Sequence, residues 1–481
     1  MLPIFIDMEK LKKFLKLITD LAYPYRVYIV GGLVRDLLLN RQKAIIDCDI
    51  VISGNVLKIS KDFSEKINGY WFILDSEHEV YRVVDKEGSF RFDFTSMKGE
   101  DIYQDLRTRD YTINALAMDI TEDFSLGNII DPLYGQEDLK RRIVRAISEQ
   151  NLIVDPIRIL RGVSLSSELD FEIESGTWKL LSQYAYLLEK EAGERISEEL
   201  FKILKNKNSF KYFILLNELK ILDVIFLGWK QLRIPPPGPY HHLPIDEHSI
   251  ETLRCLENLS LQIQQCKQLL EYLNEKIREG RTRFEILKLG SLLHDIGKPP
   301  AYHVEDGKLK FTGHEKIGAE ITRKICQRLK FSNRETDMVC KYVYYHLRPG
   351  FLVDCIASSK RAVFRYFRDT ENEAVAILLL SLADKEATRG ELSDESDIRR
   401  HHEIIWDLIH AYFQKKEEIK PPRLITGWDV MEILKIPSGP IVGKILREIE
   451  EAQAEKKITT REEAIKYAKA IYAQLSRNVE K

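Results

Sequence analysis

Asp47 and Asp49, in the run DCDIVIS, are the two carboxylates best spaced to hold a divalent cation. The run is rich in β-branched residues, and side chains two apart on a strand point to the same side. Upstream lies Gly31-Gly32, between the apolar run VYIV and the helix-like run LVRDLLL. Glycines let the backbone approach an anion closely, and N–H groups at a helix start hold a phosphate. Paired carboxylates beside such a turn are the equipment for nucleotidyl transfer, in which two metals stabilise the attacking and leaving oxygens. Each element alone is common, since Asp-x-Asp recurs by chance and Gly-Gly marks ordinary turns. Their order (strand, Gly-Gly, helix, strand with Asp-x-Asp) is what points to this chemistry.

Other residues extend the set. Asp93, in RFDFTSM, is a candidate third carboxylate or a plain edge-strand aspartate. In DLRTRDYTINALAMD, Arg109 and Asp110 precede a strand or helix whose Asn114 is in range of a ribose or phosphate. Further on, LLHDIGKP carries His294-Asp295 at a helix end, followed by Gly297 and Lys298. Imidazole with carboxylate suits divalent transition metals or Mg²⁺, and a bound metal generates hydroxide near neutral pH.

The elements that position these residues divide the chain. Up to about Asp131, short β-rich runs (VYIV, DIVIS, YWFIL, VYRVV, RFDFTSM, INALAMDI) alternate with helical patterns. From Ser148 onward nearly everything has helical spacing with many Lys/Glu pairs, as in ERISEELFKILK and GAEITRKICQRLK. The prolines of IPPPGPYHHLP and KPPRLITG interrupt the helical body. We expect units at residues 1–147, 148–234, 235–420 and 421–481. In the last unit Thr459 with Glu462 forms a capping-box pattern for the final helix.

Composition sets outer limits. With 73 Lys+Arg, 75 Asp+Glu and a net charge of −2, any basic surface for a polynucleotide must be local. The apolar run AVAILLLSLA is too short to span a bilayer, so no membrane is expected. MLPIFIDMEKLKK has neither the basic start nor the small-residue cleavage site of a signal peptide. Six cysteines with no CxxC pair suit reduced thiols, and the expected location is the cytoplasm.

The ordered motifs GGLVRDLLL, DCDI, DLRTRDYTINALA, DPLYGQEDLKRRIVR, DPIRILRGV and ERISEEL resemble the class II tRNA nucleotidyltransferases, from about Tyr28 to Leu204. That family includes CCA-adding, CC-adding and A-adding enzymes and bacterial poly(A) polymerases. The resemblance implies an α+β fold: a five-stranded catalytic head, then an all-α neck, body and tail. It implies Mg²⁺ on Asp47 and Asp49, with Asp93 in the catalytic set. Gly31, Gly32 and Arg35 would face the triphosphate, and Arg109, Asp110 and Asn114 the ribose side. Asp155 and Arg158 match the pair that reads the incoming base, with Arg161 in the same nucleotide-binding set. Read from spacing alone, Asp155 and Arg158 form an i, i+3 ion pair. Glu194 and Arg195 match the motif that braces the neck helix. The chain departs from the family at Val154, at Ser164-Leu165 and at Thr108-Arg109.

LLHDIGKP resembles HD-domain phosphohydrolases. That resemblance implies a second divalent metal centre from His248, His294, Asp295 and Asp384, with His314 and His346 as the extra ligands of two-metal members. Its implied substrates are 2′,3′-cyclic phosphates and phosphomonoesters at RNA ends. The expected activity is addition of C and then A to tRNA 3′ ends from CTP and ATP, with no obligate protein partner. A CC-only enzyme is the alternative, because the interval between Asp93 and Asp105 is short. A poly(A) polymerase, or an HD phosphohydrolase with a non-catalytic RNA-binding head, stands further off. The tail would hold the tRNA elbow.

Overall fold

A computed structural model of the chain describes residues 8–41, 43–76, 79–120, 129–234, 243–305, 308–355, 360–389, 393–414 and 422–477. It divides into two compact units, Met1–Ile203 with Leu215–Val224, and Leu204–Ile214 with Ile225–Lys481. Most of the first proline-rich interruption, residues 235–242, and the start of the second, residues 420–421, lie outside the described residues.

The first unit alternates helices and strands: α1 (Met8–Ala22), β1 (Val27–Val30), α2 (Gly32–Leu38), β2 (Ile46–Ile52), α3 (Val56–Ile67), β3 (Tyr70–Asp75), β4 (Val80–Val84) and β5 (Phe90–Ser96). Next come α4 (Ile102–Arg107), β6 (Ala117–Asp119) and β7 (Ile129–Ile130). The sheet order is β3-β4-β5-β2-β1-β6-β7, with β2 and β5 parallel and the other pairs antiparallel. The head sheet therefore has seven strands among the described residues rather than the expected five. The additions are the short β6 and β7, which extend the β1 edge. INALAMDI is not one strand either. A 3-10 turn over Thr112–Asn114 comes first, where Ala115 N donates to Thr112 O, and only Ala117–Asp119 joins the sheet.

Burial fixes which side β2 shows to solvent. Ile46, Cys48 and Ile50 are buried together with Phe63, Phe92 and Phe94 beneath α1 and α3. Phe14, Phe63, Phe90 and Phe92 meet edge to face, ring centroids 5.1–6.0 Å apart, a geometry that adds to area burial. A one-residue slip would turn the aspartates inward, so this core sets their register.

Beyond the sheet lie α5 (Gly135–Arg141), α6 (Glu149–Val154) and α7 (Ile157–Leu169). Ser148 caps α6 by accepting from Asn151 N at 3.2 Å. Pro156 disfavours helical backbone at Asp155, which sits at φ −134°, ψ 86°. The chain breaks there, and Asp155 occupies the corner where α7 starts.

The second unit is mostly helical. The apolar run AVAILLLSLA opens the helix Ala374–Ala387, buried nearly all round, as a helix at the centre of a bundle is. Among the described residues no helix is long and apolar enough to cross a membrane. The tail packs Val430, Val442, Ile445, Ile449, Ala464 and Ala468 into its own core. Its last helix, Arg461–Arg477, is capped one residue later than expected: Thr460 Oγ1 accepts from Glu463 N at 3.2 Å, and Glu463 accepts from Thr460 N at 3.1 Å. Glu463, not Glu462, is the third helical residue, and that position reaches back to the cap.

A buried charge pins the tail helix Pro440–Ala454 to the helix Lys360–Thr370. Glu451, 4 % exposed, accepts from Arg361 (2.5 Å), Arg365 (2.7 Å twice) and Arg368 (3.0 Å). Burial alone would push its pKa up; Arg365, Arg368 and Arg361 outweigh that and hold it at about 2, against an ordinary 4.5. A depressed carboxylate stabilises the fold above its ordinary pKa and loses that contribution as pH falls towards the folded value. We predict that Glu451→Gln lowers unfolding stability at pH 7 by roughly 1–3 kcal/mol. In acid denaturation series, the gap to wild type should shrink as pH drops from about 4.5 towards 2.

Candidate active site and metal centre

In the head, Asp49 pairs with Val30 across β1 and with Asp93 across β5, so the residue before Gly31 lies against the second aspartate. Gly31 has φ +74°, a region that favours glycine. A Cβ there would lie 2.9 Å from Asp49 Oδ2 and 3.4 Å from Arg109 Nη1. Bare backbone, a carboxylate and a guanidinium thus converge at one point. Asp47 is exposed and Asp49 half-buried. Burial pushes Asp49 up to about 6, opposed by Arg109 and Arg82 and reinforced by Asp93 and Asp47. Crowded carboxylates of this kind suit a hard cation such as Mg²⁺, which removes the mutual repulsion. Asp93 is gripped by Arg82 through two 2.7 Å hydrogen bonds.

The remaining head residues form one network. Arg35 is 3 % exposed, and its guanidinium donates to Asp36 at 2.9 Å and to Asn114 Oδ1 at 2.7 Å. Asn114 Nδ2 donates to Asp110 at 3.2 Å, and Asp110 also accepts from Tyr111 N at 2.7 Å and Arg161 at 3.2 Å. Burial would raise the Asp110 pKa, yet Arg161, Arg158 and these hydrogen bonds bring it below the ordinary value. Arg161 continues to Glu199 at 3.4 Å, where Lys202 and Ser164 also bind. Arg35 and Asn114 thus lie behind the Gly-Gly turn, engaged with each other. Arg109 is held by Asp105, its Nη2 at 3.1 Å.

At the α6–α7 corner, Asp155 receives Arg158 Nε at 3.2 Å and Arg195 at 2.8 Å. Arg158 also donates to Thr108 O at 2.8 Å, and Tyr111 Oη donates to Arg158 O at 2.6 Å. The i, i+3 pair is present, within a wider frame. Glu191 accepts from Ile157 N at 3.2 Å and from Arg195 at 3.0 Å, while Glu194 and Val154 are exposed. Glu191, Glu199, Tyr111 and Arg82 were missed by sequence reasoning. Only Asp105, four residues before Arg109, carried a readable signal.

In the second unit all six expected ligands converge. His248, His294 and Asp384 form one group and Asp295, His314 and His346 another, ligand atoms within 4.8 Å of one another in each. His248 Nε2 lies 3.0 Å from Asp384 Oδ1, and Asp295 Oδ2 lies 3.3 Å from His294 Nε2, Oδ1 3.4 Å from His314 Nε2. Asp295 therefore faces both groups. His294, His314 and His346 each aim Nδ1 at a backbone carbonyl, of Ser291, Phe311 and Val343, at 2.7–2.8 Å. Donation there leaves Nε2 as a lone pair, the tautomer metal ligation needs. His314 Nε2 and His346 Nε2 then oppose each other at 3.2 Å, a repulsive arrangement that a cation between them relieves. Lys298 Nζ sits 2.5 Å from Asp295 Oδ2, while the buried His294 Nε2 makes no well-aligned hydrogen bond among the described residues. Burial lowers His294, but Asp295 and Asp384 outweigh it and raise it to about 10, so without a cation its Nε2 holds a proton that a bound metal displaces; burial with His294 and His314 lowers His346 to about 3. The close approach depends on Gly297, where a Cβ would fall 2.1 Å from His314 O. The residues fit two divalent transition metals.

The Poly A polymerase head domain family matches residues 27–145, the probable RNA and SrmB-binding site of polymerase A matches 170–232, and the HD domain matches 245–389. An A-adding tRNA nucleotidyltransferase of Deinococcus radiodurans is 31 % identical over 450 residues, 92 % of this chain and 94 % of that protein. A CC-adding tRNA nucleotidyltransferase of Thermus thermophilus is 30 % identical over 449 residues, 92 % of each. The Thermotoga maritima CCA-adding enzyme, solved with tRNA, shares the fold at 22 % identity and TM-score 0.62, covering 98 % of this chain and 97 % of that one. A head of nucleotidyltransferase type joined to an HD domain defines the class. The chain belongs to the class II tRNA nucleotidyltransferases that carry a C-terminal HD domain.

The two ligand groups predict a countable property. Purified protein loaded with Mn²⁺, then passed through a desalting column, should hold two ions per chain in the second unit. His314→Ala with His346→Ala should reduce that number to one, measured by elemental analysis against a variant lacking all six ligands.

Proposed function

We propose that the chain is a template-independent polymerase that adds C and then A to the 3′ end of tRNA, using CTP and ATP in the cytoplasm. The observation carrying this reading is the same-face pair Asp47 and Asp49 against the Gly31-Gly32 turn. The tRNA 3′-oxygen bonds to the α-phosphorus, the α–β bridging bond breaks, and pyrophosphate leaves. Mg²⁺ on Asp47 and Asp49 supplies charge neutralisation at the attacking and leaving oxygens. Gly31 and Gly32 offer the triphosphate bare backbone, braced from behind by Arg35 and Asn114. Arg109, beside Gly31, adds positive charge where pyrophosphate forms. Asp155 and Arg158 present acceptor and donors to the edge of the incoming base.

A second reading, CC addition alone, is favoured by the short connector of residues 97–101 between β5 and α4. The longer family loop there accompanies the switch from C to A. The four-part layout, 1–147, 148–234, 235–420 and 421–481, is part of the proposal, with the tail on the tRNA elbow. The second unit we read as a metal-dependent phosphohydrolase for 2′,3′-cyclic phosphates and phosphomonoesters at RNA ends. Convergent Nε2 atoms with Asp295 support this reading. Transition metals there supply water activation and neutralise phosphoryl charge.

A tRNA lacking its 3′ end, offered CTP, ATP or both, should end in CCA only with both nucleotides. Termination at CC with both present selects the second reading. Asp49→Ala should cut the rate by roughly a hundredfold or more, and a loss below about tenfold overturns the site assignment. In four-nucleotide competition, Arg158→Ala should relax the preference for CTP by roughly ten- to a hundredfold. An unchanged preference reduces Arg158 to an ion-pair partner of Asp155. His294→Ala with Asp295→Ala should abolish cyclic-phosphate hydrolysis and spare nucleotide addition. If both activities vanish from a folded, tRNA-binding protein, the two sites work as one.

A further inference from the structure

The HD cluster opens onto a cavity of about 370 Å³ that none of the six ligands fills. Its floor includes Asp384 from one ligand group and His346 from the other. One wall is the helix Arg348–Cys355, which contributes Gly350 and Phe351; the Phe351 ring is 64 % exposed. Also lining it are Ser381, one turn before Asp384, Lys385, next to Asp384, and His401 from the helix Glu395–Gln414. His401 Nε2 lies 3.0 Å from Ser381 Oγ, and Lys385 Nζ 2.5 Å from Asp397.

These walls have a chemical character. The volume is near the lower end of the about 300–1,000 Å³ typical of small-molecule sites, enough for one nucleotide and too small for a stem. An exposed aromatic ring at such a mouth is a stacking platform, and every base has a π-face to lay on it. The Ser381–His401 pair offers donor and acceptor to hydroxyls or a base edge. Burial, with Lys385 and His402 nearby, lowers His401 to about 4, so the Ser381–His401 pair is uncharged at pH 7; Lys385 beside it is already matched by Asp397, and the lining suits a nucleoside rather than a second phosphate.

We propose that this cavity is the nucleoside pocket of the HD centre: the terminal base stacks on Phe351, the ribose meets Lys385 and the Ser381–His401 pair, and the phosphate ester falls on the Asp384–His346 floor. The proposal rests on the phosphohydrolase reading above. In the hydrolysis it positions, a water oxygen bonds to phosphorus, one phosphorus–ribose oxygen bond breaks, and the water's proton ends on the departing ribose oxygen. Phe351 and Ser381–His401 are positioning residues here, since the bond changes occur at the floor.

Two diesters separate the claims: adenosine 2′,3′-cyclic phosphate, and glycerol 1,2-cyclic phosphate, which has neither a base nor any other aromatic ring. Phe351→Ala should raise KM for the adenosine substrate roughly tenfold or more, leave its kcat little changed and leave the glycerol substrate unaffected; Phe351→Tyr should restore KM. A Cβ at Gly350 meets nothing within 4 Å, so Gly350→Leu should fit the fold, fill the cavity and block only the adenosine substrate. Calorimetric binding of adenosine 3′-phosphate to metal-free protein gives a readout apart from turnover. Any head binding is common to all these proteins, so the component lost in Gly350→Leu and Phe351→Ala belongs to the cavity. Equal KM and equal binding across wild type and both variants overturn the pocket while the HD reading stands. Hydrolysis of neither diester by wild type overturns the HD reading, and the pocket with it.

Discussion

A chain of charge-assisted hydrogen bonds inside the first unit holds its functional parts in register. It runs from Arg35 through Asn114 to Asp110, then through Arg161 to Glu199. One end lies behind the Gly31-Gly32 turn and the other on the helix Gly193–Leu204, with α7 between. Asp110 is 6 % exposed, and removing one partner from a buried pair leaves the other charge uncompensated, at a cost of about 3–5 kcal/mol. Such a network tolerates few alternatives, so the distance between the Gly31-Gly32 turn and the corner at Asp155 is fixed by bonding rather than by packing alone.

The two sites answer the same problem, concentrating ligand charge away from water, with different donors. In the head, three carboxylates crowd together; burial raises Asp49, Asp93 is neutralised by Arg82, and Arg109 stands beside Asp49. That arrangement suits a hard cation brought in with phosphate. In the second unit, imidazoles do most of the work, and each is oriented by a carbonyl that fixes its proton on Nδ1. A neutral imidazole aimed inward suits a resident transition metal. Under the proposed function the difference has a chemical reason: the head would receive a polyanion that carries cations, and the second unit an ester delivered to ions already bound.

The family departures are accommodated without loosening α7. Ser164 Oγ, at one of the departing positions, donates its proton to the Glu199 carboxylate and lies 3.1 Å from Arg161 O, so Glu199 gains a partner there. Val154 points to solvent at 71 % exposure, and Glu191 caps Ile157 instead. Arg195 ties Asp155 to this brace, as its position in the motif implied.

Local chemistry made much of this readable from residues alone. Alternating apolar residues put Asp47 and Asp49 on one face and Gly31-Gly32 marked the turn beside them, whereas the six ligands of the second half came from the resemblance of LLHDIGKP to HD domains. The first two signals are short-range: side-chain alternation and glycine turns act within a few residues. What stayed hidden depends on pairs far apart in sequence. Arg82 on Asp93, Glu199 on Arg161 and the opposed His314 and His346 each need two elements to meet. So does the addition of the two-residue β7, too short for a sequence pattern to mark, whereas β6 lies within the β-rich run INALAMDI. The final capping box lay one residue from its expected place because two adjacent threonines and two adjacent glutamates fit the pattern equally. The sequence determined which side chains were available and which way each faced along its own element; tertiary packing decided which of them share a site, because a buried charge is stable only beside the partner that the fold brings to it.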